Sequence, residues 1–147
     1  MFKHILIPTD GSELSDKAID AGVEFAREMH ARVTGFTAVP EYQVPSELEL
    51  RSHQAKSMAQ HEAQGKRQAE TALQKIAERA RAAGVDYDED YVQSDYPYEA
   101  IISAANAHGC DLIFMASHGR RGLSALIHGS QTQDVLTHSK IPTLVYR

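Results

Sequence analysis

The sequence predicts an α/β fold on a parallel sheet, and three observations lead there. His4 to Pro8 (HILIP) and Leu112 to Ala116 (LIFMA) are short, near-continuous apolar runs, the mark of strands buried on both faces. The stretches between strand-like runs carry apolar residues at helical spacing. Both apolar runs end in polar, glycine-bearing turns, Pro8-Thr9-Asp10-Gly11-Ser12 and Ser117-His118-Gly119-Arg120-Arg121-Gly122. Strands that alternate with helices build a parallel sheet covered on both sides.

Each element follows in order. After the first strand, Ser12 suits a helix N-cap. Leu14, Ala18, Gly22, Phe25 and Met29 then form one stripe, with Asp16, Asp20, Glu24 and Glu28 off it. Arg32 to Val39, rich in β-branched and aromatic residues, reads as the second strand, and Pro40 closes it. Ser46-Glu47-Leu48-Glu49 has the form of a capping box. From there to Ala83 the chain is polar and helix-prone, and Gly65 is the expected point of division. Ala69, Ala72, Leu73, Ile76, Ala77 and Ala80 give its second part an apolar face, with Gly84 as C-cap. Val85 to Gln93 alternates with an acidic face at Asp86, Asp88 and Asp90, which suits an edge strand. Pro97 fits the first turn of the next helix. Ala100, Ile101, Ala104 and Ala105 form that helix's apolar face, and Gly109 ends it. The Leu112 to Ala116 strand follows. Ser130 and Thr132 stand where the last helix is expected to start, and that helix runs through Asp134 to His138. Ile141 to Tyr146 is the last strand, and Pro142 suits an edge position.

Composition bounds the function. The 147 residues suit one domain, residues 1–147, with a sizeable core. A net charge of −5 argues against a nucleic-acid partner, whose usual footprint is a basic surface. No apolar run approaches the ~20 residues that span a bilayer. One cysteine, Cys110, rules out an intrachain disulfide, and no signal peptide is expected, so a cytoplasmic location is the default. The GxGxxG and GxxxxGK[ST] phosphate motifs are missing. The eight histidines are scattered without metal-ligand spacing. His118 reads as a loop-ordering residue, Cys110 as a passive thiol, and no serine-histidine-aspartate set stands out.

In an open α/β sheet the ligand sits beyond the carboxyl ends of the strands, at the switch point. Two loops compete for that place, Thr9 to Ser12 and Ser117 to Gly122. Glycines let the backbone approach a ligand, and a helix N-terminus offers free N–H groups and a positive dipole end to phosphate.

Over its whole length the chain resembles the universal stress protein family. KHILIPTDGSELSDKAI is similar to that family's first strand and loop. MASHGRRGLSALIHGSQTQDVLTHSKIPTLVYR is similar to its C-terminal signature. The ATP-binding branch carries G-x2-G-x9-G-[ST] there, and this chain reads Ala116-x2-Gly119-x9-Gly129-Ser130, with alanine in place of the first glycine.

The resemblance implies an open, five-stranded, Rossmann-like parallel sheet in order 3-2-1-4-5, with helices on both faces. It implies ATP, ADP or AMP as cofactor, with Mg²⁺ or Mn²⁺ beside it. Pro8, Thr9 and Asp10 would lie under the nucleotide, with Asp10 near the ribose or a phosphate-bound metal. Ala38 would offer backbone atoms to the adenine, and Met115 and Ala116 would line base and sugar. Ser117, His118, Gly119, Gly122, Gly129, Ser130, Gln131 and Thr132 would wrap the phosphates, with Arg120 or Arg121 reaching them too. The family often forms homodimers through its last strand, here Ile141 to Tyr146. At Ala116 a negative φ would add only a methyl group, whereas a positive φ would strain the backbone by roughly 1 kcal/mol or more.

The expected function is an adenine-nucleotide-binding stress-response protein in which the nucleotide is a regulatory ligand. At most a slow ATP hydrolysis or phosphate transfer accompanies it, since no residue stands out as a general base. Two other readings remain open. One is a dimeric interaction protein with an empty pocket, which turns on Ala116. The other is an ATP-dependent enzyme whose substrate pocket the segment Glu41 to Gly65 would build.

Overall fold

The computed structural model describes residues 1–117 and 125–147, with Leu14 and residues 125–129 described by their backbone alone. The elements run β1 (His4–Pro8), α1 (Glu13–Met29), β2 (Arg32–Val39), α2 (Glu47–Arg51), α3 (Met58–Ala83), β3 (Tyr87–Gln93), α4 (Pro97–Ala107), β4 (Leu112–Ala116), α5 (Ala125–His138) and β5 (Thr143–Tyr146). The five strands form one parallel sheet in the order β3-β2-β1-β4-β5, with β3 and β5 at its edges.

Strand alternation sends successive side chains of the sheet to opposite layers. Ile5, Ile7, Val33, Leu112 and Phe114 meet Ile19 and Val23 of α1 and Leu73 and Ile76 of α3. Leu6, Phe36, Ile113 and Met115 meet Ile101 and Ala104 of α4 and Val135 of α5. Ile5, Leu6 and Phe36 have no exposed surface. Burial of each such side chain contributes about 1.5–3 kcal/mol. The acidic edge strand is as expected, and β3 is further joined to the end of α4 by His108 Nε2, 2.9 Å from Asp90 Oδ2.

Local signals set most boundaries. The Ser12 side chain caps α1, and the Ser46–Glu49 capping box starts α2. Gly84 closes α3 in the left-handed region, as expected. The expected division at Gly65 is not observed. α3 runs through Gly65 without a break, and the interruption falls at residues 52–57 instead. There His53 takes φ 56°, and a second capping box, Ser57 with Gln60, starts α3. Its S-x-x-Q signal is legible in the sequence. Gly65 is buried under β2, where an added Cβ would lie 3.3 Å from Val39 Cγ2. Its role is close packing of helix on sheet. The strands β3 and β5 each begin two residues later than the apolar pattern suggests, at Tyr87 and Thr143.

Cys110 is buried just before β4, and that burial, reinforced by Asp111, pushes its thiol up to about 11. The thiolate is the reactive form. Iodoacetamide at pH 7.5 should therefore label the folded protein slowly and the urea-unfolded protein rapidly, as mass spectrometry would show.

Gly35 makes a sharper demand. A Cβ there would lie 2.6 Å from the Tyr87 hydroxyl, which donates to Glu89 Oε2 at 2.8 Å. Burial, with that carboxylate beside it, holds the Tyr87 phenol well above its ordinary value. Gly35→Ala should lower stability by about 1–3 kcal/mol in urea denaturation. Adding Tyr87→Phe, which removes the closest atom, should recover part of the loss.

Candidate functional site

A cavity of about 480 Å³ opens at the carboxyl ends of β1 and β4, neighbouring strands with α1 in one layer and α5 in the other. That size lies within the usual range of small-molecule sites. The floor comes from Pro8 at the end of β1, Thr9 and Asp10 after it, and Met115 and Ala116 of β4. Phe36, Thr37, Ala38 and Pro40 close the β2 side. Ser94, Asp95, Pro97 and Ile101 form the wall toward β3 and α4, and Gln131 and Thr132 come from α5.

The turn after β1 is shaped by its own hydroxyls. Thr9 is buried, its N–H donates to the Phe36 carbonyl at 2.9 Å, and its Oγ1 accepts the Gly11 N–H at 3.0 Å. Thr9 Oγ1 also lies 3.0 Å from Ser15 Oγ, which donates to the Ser12 carbonyl at 2.7 Å. Asp10 Oδ1 accepts the Ser12 N–H at 3.0 Å, a side chain that closes the turn, and Gly11 at φ 78° completes it. These bonds fix Asp10 at the cavity without help from a ligand.

At β4, Ala116 lies within the strand, opposite Tyr146, and it is not among the residues with positive φ. Alanine at this position therefore places one methyl group at the cavity and strains no backbone. The Thr132 hydroxyl donates to the Ala116 carbonyl at 3.2 Å, which ties α5 to the end of β4. Gln131 Oε1 accepts the Tyr98 N–H at 2.9 Å. Since Tyr96, the N-cap of α4, makes no side-chain cap, Gln131 supplies from another helix the acceptor that α4 lacks.

The sequence-selected residues divide into three groups. Pro8, Thr9, Asp10, Ala38, Met115, Ala116, Gln131 and Thr132 come together in the cavity lining. Ser117 follows β4 outside the lining. Ser130 is exposed on α5, and Gly129 lies in the backbone of that helix. The expected helix start near Ser130 is corrected, because α5 already runs from Ala125 and places Ser130 and Thr132 in its second turn. His118, Gly119, Arg120, Arg121 and Gly122 lie outside the described residues.

Ser15, Phe36, Thr37, Pro40, Ser94, Asp95, Pro97 and Ile101 were not selected from the sequence. The signal that could have found them was positional. In the order 3-2-1-4-5, the end of the second strand lies beside the end of the first, and the end of the third lies beside that of the second.

The family model described as the universal stress protein family matches residues 1–147. The chain belongs to that family. A universal stress protein of Bacillus subtilis, YxiE, is 30% identical over an alignment that covers 100% of each chain. Among solved structures, MJ0577, a protein of Methanocaldococcus jannaschii, is 27% identical with a TM-score of 0.75, covering 99% of this chain and 95% of that one. A universal stress protein in complex with cAMP is 24% identical with a TM-score of 0.72, covering 99% and 97%. The universal stress protein of Archaeoglobus fulgidus in complex with dAMP is 16% identical with a TM-score of 0.64, covering 99% and 98%. The last two likenesses establish the fold. No helix among the described residues of this universal stress protein is long and apolar enough to cross a membrane.

Replacing Gln131 by alanine should uncap α4 and lower stability by about 1 kcal/mol in urea denaturation. Gln131→Glu keeps the acceptor and adds negative charge at a helix N-terminus, so it should hold stability near the wild-type level.

Proposed function

We propose that this universal stress protein belongs to the ATP-binding branch and holds an adenine nucleotide (ATP, ADP or AMP) as a regulatory ligand. The observation that carries this reading is the cavity at the switch point, where Asp10, Ala38, Met115 and Ala116 share one lining. The unstrained backbone at Ala116 supports it, because the departure from the family's glycine adds only a methyl group. The complexes of two other universal stress proteins with cAMP and dAMP support it from outside the chain.

In this reading the base sits against the Ala38 backbone, and the ribose lies between Asp10 and Met115. The phosphates extend past Ala116 toward α5, where Gly129 to Thr132 would receive them. Among the described residues no group of three or more His, Cys, Asp or Glu could hold a metal ion. Mg²⁺ is held by one or two carboxylates together with substrate phosphates. Asp10 at the cavity fits the protein's share of such a site, so Mg²⁺ or Mn²⁺ would arrive with the nucleotide and screen its charge. The open edge of the sheet at β5 supports a homodimer through that strand.

The test is the thermal midpoint of nucleotide-stripped protein with and without ATP and Mg²⁺. At about 100 times Kd, binding stabilises by ~2.7 kcal/mol, a rise of roughly 5–10 °C for a chain of this size. Ala38→Arg, which fills the cavity from the β2 side, should abolish the rise. A folded, stripped wild type that shows no rise would sink this reading and favour a protein that acts through its surface.

A further inference from the structure

The segment between β2 and α3 is tied to the rim of the cavity by groups of the cavity itself. Asp95 accepts the Glu41 backbone N–H on Oδ1 at 3.1 Å and the Gln43 side-chain amide on Oδ2 at 3.4 Å. Pro40, also in the lining, has its carbonyl 2.8 Å from His61 Nε2. Tyr42 packs edge-on against that imidazole with ring centroids 5.6 Å apart, and its hydroxyl donates to the Lys56 carbonyl at 3.1 Å. Between these anchors α2 buries no residue, and Val44, Leu48 and Leu50 stand exposed.

A segment with no buried side chains of its own helix and only a few hydrogen bonds at its ends lies at the low end of local stability. Its position depends on the groups that hold it. One of its holders, the Asp95 carboxylate, belongs to a residue that lines the cavity, and Tyr42 leans on His61, which is 2.8 Å from the carbonyl of another lining residue, Pro40.

We propose that Asp95 is a positioning residue that latches residues 41–57 as a strap across the cavity rim and couples the strap to ligand occupancy. This inference rests on the nucleotide reading of the cavity. A carboxylate offers about four acceptor positions, and the strap uses two of them. Amino or hydroxyl donors of a bound nucleotide can share the same carboxylate. Strap donors that fix the carboxylate lower the ordering cost of ligand binding, and a bound ligand fixes the carboxylate for the strap. The coupling is therefore positive, and it is reciprocal by linkage. It gives residues 41–57, which have no packing reason to hold their conformation at α2, a role as a reporter of occupancy on the outer surface.

Hydrogen exchange of residues 41–57, with and without saturating ATP and Mg²⁺, tests this in the wild type, Asp95→Ala and Asp95→Asn. Calorimetry measures affinity in parallel, and the ligand-free thermal midpoint checks that each variant is folded. ATP should slow exchange across the strap of the wild type several-fold. Asp95→Ala should leave the strap exchanging fast in either state and weaken ATP binding roughly 5- to 20-fold. Asp95→Asn keeps an acceptor for the Glu41 N–H, and Gln43 can turn its amide to match, so this variant should restore most of the protection. Wild type that binds ATP with unchanged exchange in residues 41–57 would overturn the coupling alone. So would a folded Asp95→Ala protein with wild-type affinity and protection. Failure of the wild type to bind ATP at all would overturn the nucleotide reading, and the coupling with it.

Discussion

β1 pairs with β2 on one side and β4 on the other, and nearly everything else in the fold follows from that double pairing. A strand with neighbours on both edges and helices on both faces leaves no room for a polar side chain in its middle. Ile5, Leu6 and Ile7 satisfy that constraint, and their alternation divides the core into two layers. Gly35 and Gly65 serve the same packing from β2 and α3, where tyrosine and valine side chains occupy the space a Cβ would need.

The same double pairing creates the cavity. α1 packs in one layer and α5 in the other, which leaves a gap between the carboxyl ends of the two strands. The gap has to be held open by groups that do not depend on a ligand. Thr9, Ser12 and Ser15 bind one another, Asp10 closes its own turn, Thr132 anchors the end of β4, and Gln131 caps α4. A rim built this way is ordered before anything enters, which reduces what binding must spend on ordering side chains. Asp95 extends that logic outward, because it joins the rim to a strap with no core of its own.

Much of this was legible in the chain. β1, β2 and β4 have the bounds that their apolar runs mark, and Ser12, Ser46 and Gly84 cap where their chemistry says they should. The break between α2 and α3 falls at residues 52–57 and not at Gly65; that polar, helix-prone stretch contains no apolar stripe to mark it. Gly65 drew attention as a breaker, yet its surroundings under Val39 make it a packing residue. Asp10, Ala38, Met115 and Ala116 of the cavity lining were pointed to by the family resemblance, whereas Ser94, Asp95 and Pro97 carry no motif and enter the cavity only because β3 pairs with β2.

The α/β alternation, the buried strands and the turn after β1 were legible in the chain, since each rests on residues near one another in it. Only the tertiary structure decided the conformation at Ala116, the cap that Gln131 lends to α4, and the hold of Asp95 on Glu41 and Gln43. The two pairings join residues that are 33 and 54 positions apart, as Gln131 with Tyr98 and Asp95 with Glu41 show. Contacts at such separation exist only once the strand order has brought the ends together, and no local pattern of residue types encodes that order.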